Sequence, residues 1–292
     1  MNLGRVGVWS GQFRSEDQGE AHEAAAELEE LGFGTLWIPG GAGGDILDII
    51  ERALGATSTM VLATGILNVW MHEAQDVASR HAELTASHPD RFLLGLGVSH
   101  ALLIDHVGGD RKYEKPLSVM VDYLDQLDRT DPPVPTGERM LAALGPKMLE
   151  LSRDRTLGAH PYCVSPAHTA YAREILGDGP ILAPELKVVL SGDPEAARAT
   201  ARAGLAIYLR LPNYTNNLLR TGFTEADFED GGSDRLVDEV VAWGSLEVIA
   251  DRIAAHRSAG ADHVCVQVLT DDAANYPRAE WREVATILSS VA

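Results

Sequence analysis

Ser99 and His100 are the first residues whose types and position could do chemistry. They follow the apolar run 92–98, and together they offer a hydroxyl and an imidazole. An imidazole has an unperturbed pKa of about 6.5, so it can donate or accept a proton near neutral pH. Gly95 and Gly97 have no side chains, so a ligand or a neighbouring backbone can come close to this run. The alternative is that the glycines ease core packing and His100 caps a loop.

Gly145, Pro146 and Lys147 form a second candidate site, after the apolar run 140–144. Proline is suited to the first turn of a helix, and the free amides of a helix start bind anions. The alternative is a Gly-Pro turn beside a solvated lysine. The glycine-rich loop 39–44 could also cradle a phosphate, but it lacks the Lys-Ser/Thr ending of a P-loop.

Eight buried strands separated by helices must position these residues. The strands are predicted at residues 5–9, 35–38, 60–64, 91–98, 140–144, 156–160, 181–190 and 263–269, with a break at Pro184-Glu185 in the seventh. A long loop is predicted after His100, and a terminal helix is predicted at 278–291. This alternation predicts an α/β fold, a (β/α)8 TIM barrel, in which sites lie at the carboxyl ends of the strands. The 292 residues suit one such domain, with an insertion at about 193–244 between strands 7 and 8 that covers a site or a partner surface.

A doubly wound sheet is the alternative fold. Its dinucleotide fingerprint would have to be the stretch GLGVSH at 95–100, which lacks the third glycine and follows the fourth strand. We therefore favour the barrel. Within the insertion, helices are predicted at 194–203 and 234–243, and an irregular aromatic stretch is predicted between them.

Composition excludes several classes of function. The formal charge of −19 disfavours nucleic-acid binding, which needs a basic surface. The two cysteines lie far apart and outside any Cys/His cluster, so neither zinc nor a disulfide framework is expected. No run approaches the ~20 apolar residues of a membrane span, and the N-terminus lacks a signal-peptide pattern. The sequence thus predicts a cytoplasmic protein without a metal site or membrane partner.

Several stretches carry a resemblance to a known family. They are LATGILN at 62–68, SHPDRFLLGLGVSH at 87–100, LGPKML at 144–149, GAHPY at 158–162, SPAHTAYAREIL at 165–176, and residues 245–268. In order and spacing the chain resembles the bacterial luciferase-like monooxygenase superfamily, especially its actinobacterial branch of deazaflavin-dependent oxidoreductases. The resemblance implies a TIM barrel, a homodimer, and coenzyme F-420 or flavin mononucleotide (FMN) at the barrel mouth.

The resemblance also implies roles for individual residues. A non-prolyl cis peptide that supports the cofactor ring maps onto Gly65-Ile66, His100 faces the ring, and the phosphate-binding helix start maps onto Gly145, Pro146 and Lys147. The remaining residues assigned to the cofactor site are Trp9, Gly40, Ser99, His160 and Ser165. Trp37 and Trp70 could also wall the pocket, while Lys147, Arg153 and Lys187 are candidates to meet a polyglutamate tail.

The function that follows is hydride transfer between coenzyme F-420 and a small organic substrate. His100 is the catalytic candidate, as donor or acceptor of the accompanying proton, or it only hydrogen-bonds a ring oxygen. Relatives often present an acid and a histidine after strand 2, where this chain has Pro39-Gly40-Gly41. That departure argues against sugar-phosphate dehydrogenase chemistry. It leaves open an FMN-dependent monooxygenase or a non-catalytic barrel that acts as a binding protein.

Overall fold

Parallel strands and helices alternate along the computed structural model, which describes residues 1–15, 17–41, 45–107 and 112–291. The strands are β1 Val6–Trp9, β2 Thr35–Ile38, β3 Val61–Thr64, β4 Leu67–Asn68, β5 Phe92–Gly97, β6 Arg139–Leu141, β7 Gly158–Ala159, β8 Ile181–Leu182, β9 Glu185–Val189, β10 Val241–Trp243 and β11 Val264–Val268. The helices are α1 Gln18–Glu30, α2 Ile46–Ala56, α3 Ala74–Ser87, α4 Ala101–Val107, α5 Pro116–Leu127, α6 Pro146–Arg155, α7 Pro166–Leu176, α8 Pro194–Leu205, α9 Pro212–Arg220, α10 Asp234–Val240, α11 Leu246–Ser258 and α12 Arg278–Ala285.

The run that contains β8 and β9 closes the sheet into a barrel. Strands pair in the order β11-β1-β2-β3-β5-β6-β7-β8, and β9 returns to pair with β11. Only Ala183 and Pro184 separate β8 from β9, and the Cys265 N–H donates to the Pro184 carbonyl over 2.9 Å. The two short strands therefore act as one barrel strand with a break. The TIM-barrel prediction, including a break near Pro184, is confirmed.

Strand β10 is an addition outside this ring. It pairs with β9 alone, with Val241 opposite Lys187 and Trp243 opposite Val189. The prediction of a helix through residue 243 is therefore wrong in its last three residues. Helix α10 ends at Val240, because a strand beside β9 gives Val241 hydrogen bonds and a pleated surface that suits β-branched residues. The predicted insertion between strands 7 and 8 thus consists of α8 to β10.

Side chains fill the inside of the barrel, and Trp37 lies at its centre. The Trp37 ring stacks on His160 with centroids 4.2 Å apart, and its Nε1–H donates to His263 Nε2 over 3.2 Å. His263 in turn donates from Nδ1 to the Gly4 carbonyl over 2.9 Å. Trp37 has no exposed surface. The expectation that it walls a pocket is wrong, because its place in β2 points it into the interior.

Two segments differ from the predicted loops. Helix α4 follows His100 directly, where a long loop was expected, and α9 occupies part of the irregular aromatic stretch. The terminal helix ends at Ala285 rather than at residue 291. Ala42, Gly43 and Gly44 of the glycine-rich loop, and the Gly108-Gly109 pair, lie outside the described residues.

Candidate functional site

A cavity of about 640 Å³ opens at the carboxyl ends of the barrel strands. This volume falls within the ~300–1,000 Å³ of typical small-molecule sites. Ten of the eleven residues assigned to the cofactor from sequence line it: Trp9, Gly40, Gly65, Ile66, Ser99, His100, Gly145, Pro146, Lys147 and His160. The structure therefore brings nearly the whole predicted set around one space.

Ser165 is the exception. The chain turns at Cys163, which has a φ of 59° and donates its N–H to the buried carboxylate of Glu185 over 2.9 Å. Beyond this turn Ser165 is the N-cap residue of α7 and is buried, and it does not line the cavity. The assignment of Ser165 to the cofactor is not carried further, because its side chain is enclosed at the start of a helix.

A short backbone bulge after β3 forms one side of the cavity. The Gly65–Ile66 peptide is cis, as the resemblance implied. The Trp9 indole Nε1–H donates to the Gly65 carbonyl over 3.0 Å, and the Gly40 N–H donates to the Ile66 carbonyl over the same distance. A Cβ at Gly40 would stand 2.6 Å from that carbonyl oxygen, so only glycine fits there. Residues after β1 and β2 thus fix the bulge from both sides.

His100 stands at the cavity edge with a defined tautomer. Ser99 has a φ of 56°, and the His100 carbonyl accepts the first hydrogen bonds of α4. The Leu103 N–H donates to His100 Nδ1 over 3.3 Å, so the neutral ring carries its proton on Nε2. Burial lowers the His100 pKa below its ordinary value, so the ring is neutral at pH 7. His100 therefore offers an Nε2–H donor.

Lys147 and Arg220 are the only charged side chains among the described residues that line the cavity. The chain holds 43 Asp and Glu residues, yet none belongs to the described lining. Lys147 lies in the first turn of α6, directly after Pro146. Arg220 ends α9, where its Nη1 donates to Asn217 Oδ1 over 3.2 Å. The cavity is thus locally positive and suits an anionic ligand.

The other predicted cations lie elsewhere. Lys187 has no exposed side-chain surface, and its Nζ lies 3.1 Å from both carboxylate oxygens of Glu185. Arg153 pairs with the neighbouring Asp154 over 2.8 Å. Neither lines the cavity. Their assignment to a polyglutamate tail is wrong, because Lys187 points into the barrel and Arg153 lies two residues from the carboxyl end of α6.

His160 lines the cavity in a defined tautomer. Its Nδ1–H donates to the Ala183 carbonyl over 2.7 Å, so Nε2 is unprotonated in the neutral ring. That Nε2 is buried and has no hydrogen-bond partner within the described residues. Burial lowers the His160 pKa to about 4. The ring is therefore neutral at pH 7, and its Nε2 is enclosed by protein atoms.

Four tyrosines that the sequence analysis did not assign line the cavity, and the rings of three of them lie together. Tyr162 follows β7, while Tyr208 and Tyr214 come from the insertion. Their rings and that of Trp9 form a chain of contacts, with successive centroids 5.2, 5.1 and 5.0 Å apart in the order Trp9, Tyr162, Tyr208, Tyr214. We call these four residues the aromatic wall. Trp70 does not line the cavity, and its Nε1–H donates to the Val98 carbonyl over 2.8 Å.

Within residues 1–15, 17–41, 45–107 and 112–291, no group of three or more His, Cys, Asp or Glu side chains could bind a metal ion. Over those same ranges, no helix has both the length and the apolar character to span a bilayer.

Comparison with known families decides the relationship. The model of the luciferase-like monooxygenase family matches residues 3–263. The chain belongs to this family. No functionally curated protein sequence matches it significantly.

Solved structures of this luciferase-like fold cover the whole chain. A coenzyme F-420-dependent secondary alcohol dehydrogenase in complex with an F-420–acetone adduct superposes with a TM-score of 0.78 at 16% identity, covering 100% of both chains. The coenzyme F-420-dependent tetrahydromethanopterin reductase from Methanopyrus kandleri gives 0.72 at 14% identity, covering 98% of each. The oxygenating constituent of 3,6-diketocamphane monooxygenase from Pseudomonas putida, in complex with FMN, gives 0.71 at 14% identity, covering 100% of this chain and 98% of the other. At these identities the likeness shows a shared fold.

Proposed function

We propose that this luciferase-like protein is an oxidoreductase that transfers a hydride between coenzyme F-420 and a small organic substrate. The observation that carries the proposal is the cavity at the strand ends, which holds two cations and two neutral imidazoles but no carboxylate among its described lining. Coenzyme F-420 is an anion with a phosphate and a polyglutamate tail, so this charge distribution fits it. The family membership and the F-420-dependent structural relatives support the same choice.

The residues present fit such a cofactor. The ring would rest against the Gly65–Ile66 bulge, which Trp9 and Gly40 hold in place. The phosphate would meet Lys147 and the free amides at the start of α6, where Pro146 occupies the first turn. Arg220 would meet carboxylates of the tail. When bound, the cofactor supplies the hydride chemistry, and the protein supplies orientation and charge.

His100 is the proposed catalytic residue. The Leu103 N–H occupies its Nδ1, so Nε2–H is the group left for a substrate oxygen. Because burial lowers its pKa, the ring is neutral at physiological pH and acts as a donor rather than as a fixed cation. Relatives often place an acid and a histidine after strand 2, whereas Pro39 and Gly40 line the cavity here. The substrate is therefore proposed not to be a sugar phosphate.

An FMN-dependent monooxygenase is the second candidate. One observation favours it: the FMN-bound oxygenating constituent of 3,6-diketocamphane monooxygenase shares the fold over the full chain. Lys147 and the start of α6 would suit the FMN phosphate equally well. Arg220 separates the two cofactors, since FMN has no polyglutamate tail. The homodimer and the cytoplasmic location that the resemblance implies remain predictions.

Titration of both cofactors tests the proposal. Fluorescence quenching should give stoichiometric binding of coenzyme F-420, with FMN binding more weakly. Lys147→Ala should weaken both by about tenfold, since one charge-assisted hydrogen bond contributes roughly 1.5 kcal/mol or more. Arg220→Ala should weaken coenzyme F-420 by a similar factor and leave FMN unchanged. Arg153→Ala is the matched control and should change neither.

Three outcomes would contradict the proposal. Stoichiometric binding of FMN without coenzyme F-420 would establish the monooxygenase candidate instead. If neither cofactor binds, the protein is a non-catalytic relative. If Arg153→Ala weakens binding as much as Arg220→Ala, the effect comes from overall charge and the cavity has not been located correctly.

A further inference from the structure

Two hydroxyl groups of the aromatic wall, those of Tyr162 and Tyr208, form a hydrogen-bonded chain beside the cavity. Tyr162 Oη lies 2.7 Å from Gln267 Oε1 and 3.0 Å from Tyr208 Oη. An amide oxygen can only accept, so the single Tyr162 proton goes to Gln267. Tyr162 Oη must then accept from Tyr208. The Tyr208 hydroxyl therefore donates its proton to Tyr162, and toward any other group its oxygen can only accept a hydrogen bond.

A buried ion pair holds this chain in place. Lys187 Nζ lies 3.8 Å from the centre of the Tyr162 ring and 4.9 Å from that of Tyr208. Its charge is balanced by Glu185, whose two carboxylate oxygens are each 3.1 Å away. The ammonium thus attracts the faces of both rings without giving the wall a net charge. Lys187 acts through Tyr162 and is a positioning residue.

The wall joins the cofactor side of the cavity to the insertion. Trp9 donates to the Gly65 carbonyl of the bulge and contacts the Tyr162 ring. Tyr208 and Tyr214 continue the wall from the insertion, with their ring planes 70° apart. An aromatic or other flat apolar molecule can pack against such faces and edges. A cationic molecule is disfavoured there because Lys147 and Arg220 line the same cavity, and an anionic one finds no cation among the members of the wall.

We propose that the aromatic wall is the substrate subsite, and that Tyr208 Oη accepts a hydrogen bond from an O–H or N–H group on an uncharged, planar, largely apolar substrate. The proposal rests on the proposed function, because it treats the space beside the cofactor as the substrate's place. It names the substrate class, a hydroxylated aromatic or similarly flat compound. The hydroxyl chain ends at Gln267, so it serves binding and carries no proton onward.

Three naphthalene derivatives probe this subsite. 2-Naphthol has the planar body and an O–H donor, 2-methoxynaphthalene has the oxygen but no donor, and naphthalene has neither. Calorimetric titration of the wild-type protein should show 2-naphthol binding about tenfold more tightly than 2-methoxynaphthalene, which corresponds to one net hydrogen bond. Saturating coenzyme F-420 should leave this preference in place.

Variants separate the hydroxyl groups from the rings. Tyr208→Phe should remove the preference for 2-naphthol and leave naphthalene affinity unchanged. Tyr162→Phe should free the Tyr208 proton, so that Tyr208 can donate and 2-methoxynaphthalene gains affinity. Tyr123→Phe makes the same chemical change at a buried hydroxyl in α5 that has no hydrogen-bond partner within the described residues, and it should change nothing.

The results distinguish this inference from the proposed function. If Tyr208→Phe keeps the preference, or if coenzyme F-420 displaces 2-naphthol, the subsite assignment is wrong while the cofactor proposal stands. If the preference depends on Tyr208 but neither cofactor binds, the subsite stands and the proposed oxidoreductase function is wrong. Absence of any preference in a wild-type protein that binds the cofactor also refutes the subsite.

Discussion

Gly97 in β5 offers a direct test of where the ring lies. An added Cβ at this position would stand 2.6 Å from both Cγ1 and Cδ1 of Ile66, and 3.4 Å from the Ala142 Cβ. Carbon atoms prefer separations of about 3.5–4.0 Å, so the Ile66 side chain must retreat by about 1 Å. Ile66 lines the cavity, and the half-buried residue can move only into that space. Gly97→Ala therefore pushes Ile66 toward the space proposed for the ring.

The expected effect is a loss of cofactor affinity with a small loss of stability. The clash is with the Ile66 side chain and not with backbone, so we expect Gly97→Ala to lower the free energy of unfolding by about 1–3 kcal/mol. The dissociation constant for coenzyme F-420 should rise at least tenfold, because a 1 Å shift spoils contacts along the ring face. Fluorescence quenching measures the affinity, and urea denaturation measures the stability.

Two other glycines serve as references. Gly95→Ala, two residues earlier in β5, would bring its Cβ within 1.9 Å of the Thr64 carbonyl oxygen, which is backbone and cannot yield. That variant should lose more than about 3 kcal/mol of stability. Gly55→Ala on α2 meets nothing within 4 Å and should gain about 0.5–1 kcal/mol with unchanged cofactor affinity.

One result would refute the reasoning. If Gly97→Ala binds coenzyme F-420 with the wild-type affinity while its stability falls as expected, then Ile66 has moved but does not contact the ring. The bulge after β3 would then not support the cofactor.

Two further predictions concern buried titratable groups. Burial lowers the pKa of His160 and His263 to about 4 and that of His256 to about 3, whereas each titrates near 6.5 when unfolded. Below pH 6.5 the unfolded chain binds more protons, so each of these histidines should remove about 2 kcal/mol of stability by pH 5. Burial also lowers the pKa of His81 and His168 to about 4, so both add to the loss. Urea titrations at pH 7 and pH 5 measure the loss, and equal midpoints would contradict it. Lys187→Met should cost about 3–5 kcal/mol, because it leaves the buried Glu185 carboxylate without its cation, and the double variant with Glu185→Gln should recover most of the loss. Equal urea midpoints for the single and double variants would show that the pair is not coupled.

The barrel and the cavity could be predicted from the sequence because both follow from strand periodicity. Apolar runs set the strand positions, and Pro184 marked the break that separates β8 from β9. Parallel strands bring their carboxyl ends to one side, so Gly65, His100 and Lys147 had to meet there whatever the loop details. The individual site residues were assigned from the family resemblance, and the shared edge of the barrel is why ten of the eleven line one cavity.

The positions of other site residues depend on tertiary contacts, which the spacing of apolar residues along the chain does not reveal. Arg220 and Tyr208 lie in the insertion, and their place over the barrel mouth comes from its packing against the barrel rather than from the spacing of the barrel strands. A signal existed for Lys187: it stands two residues after Glu185 in a strand, which puts both side chains on one face and indicates a buried pair. The strand ending at Trp243 was missed because hydrogen bonds to β9 override local helix preference.

The pairing of β9 with β10 has an evolutionary consequence. The chain leaves the barrel at Val189 and comes back at Val241, which lies directly beside Lys187 on the adjacent strand, about 4.8 Å away. We call the segment between Val189 and Val241 the cassette. Its ends stay close together because they lie on paired strands, so the entropic cost of closing it rises only slowly with its length. Tyr208 and Tyr214 sit inside it, whereas Trp9, Gly65 and His100 do not. Grafting a different cassette onto the same two strands would alter which molecules are accepted and leave the rest of the scaffold as it is.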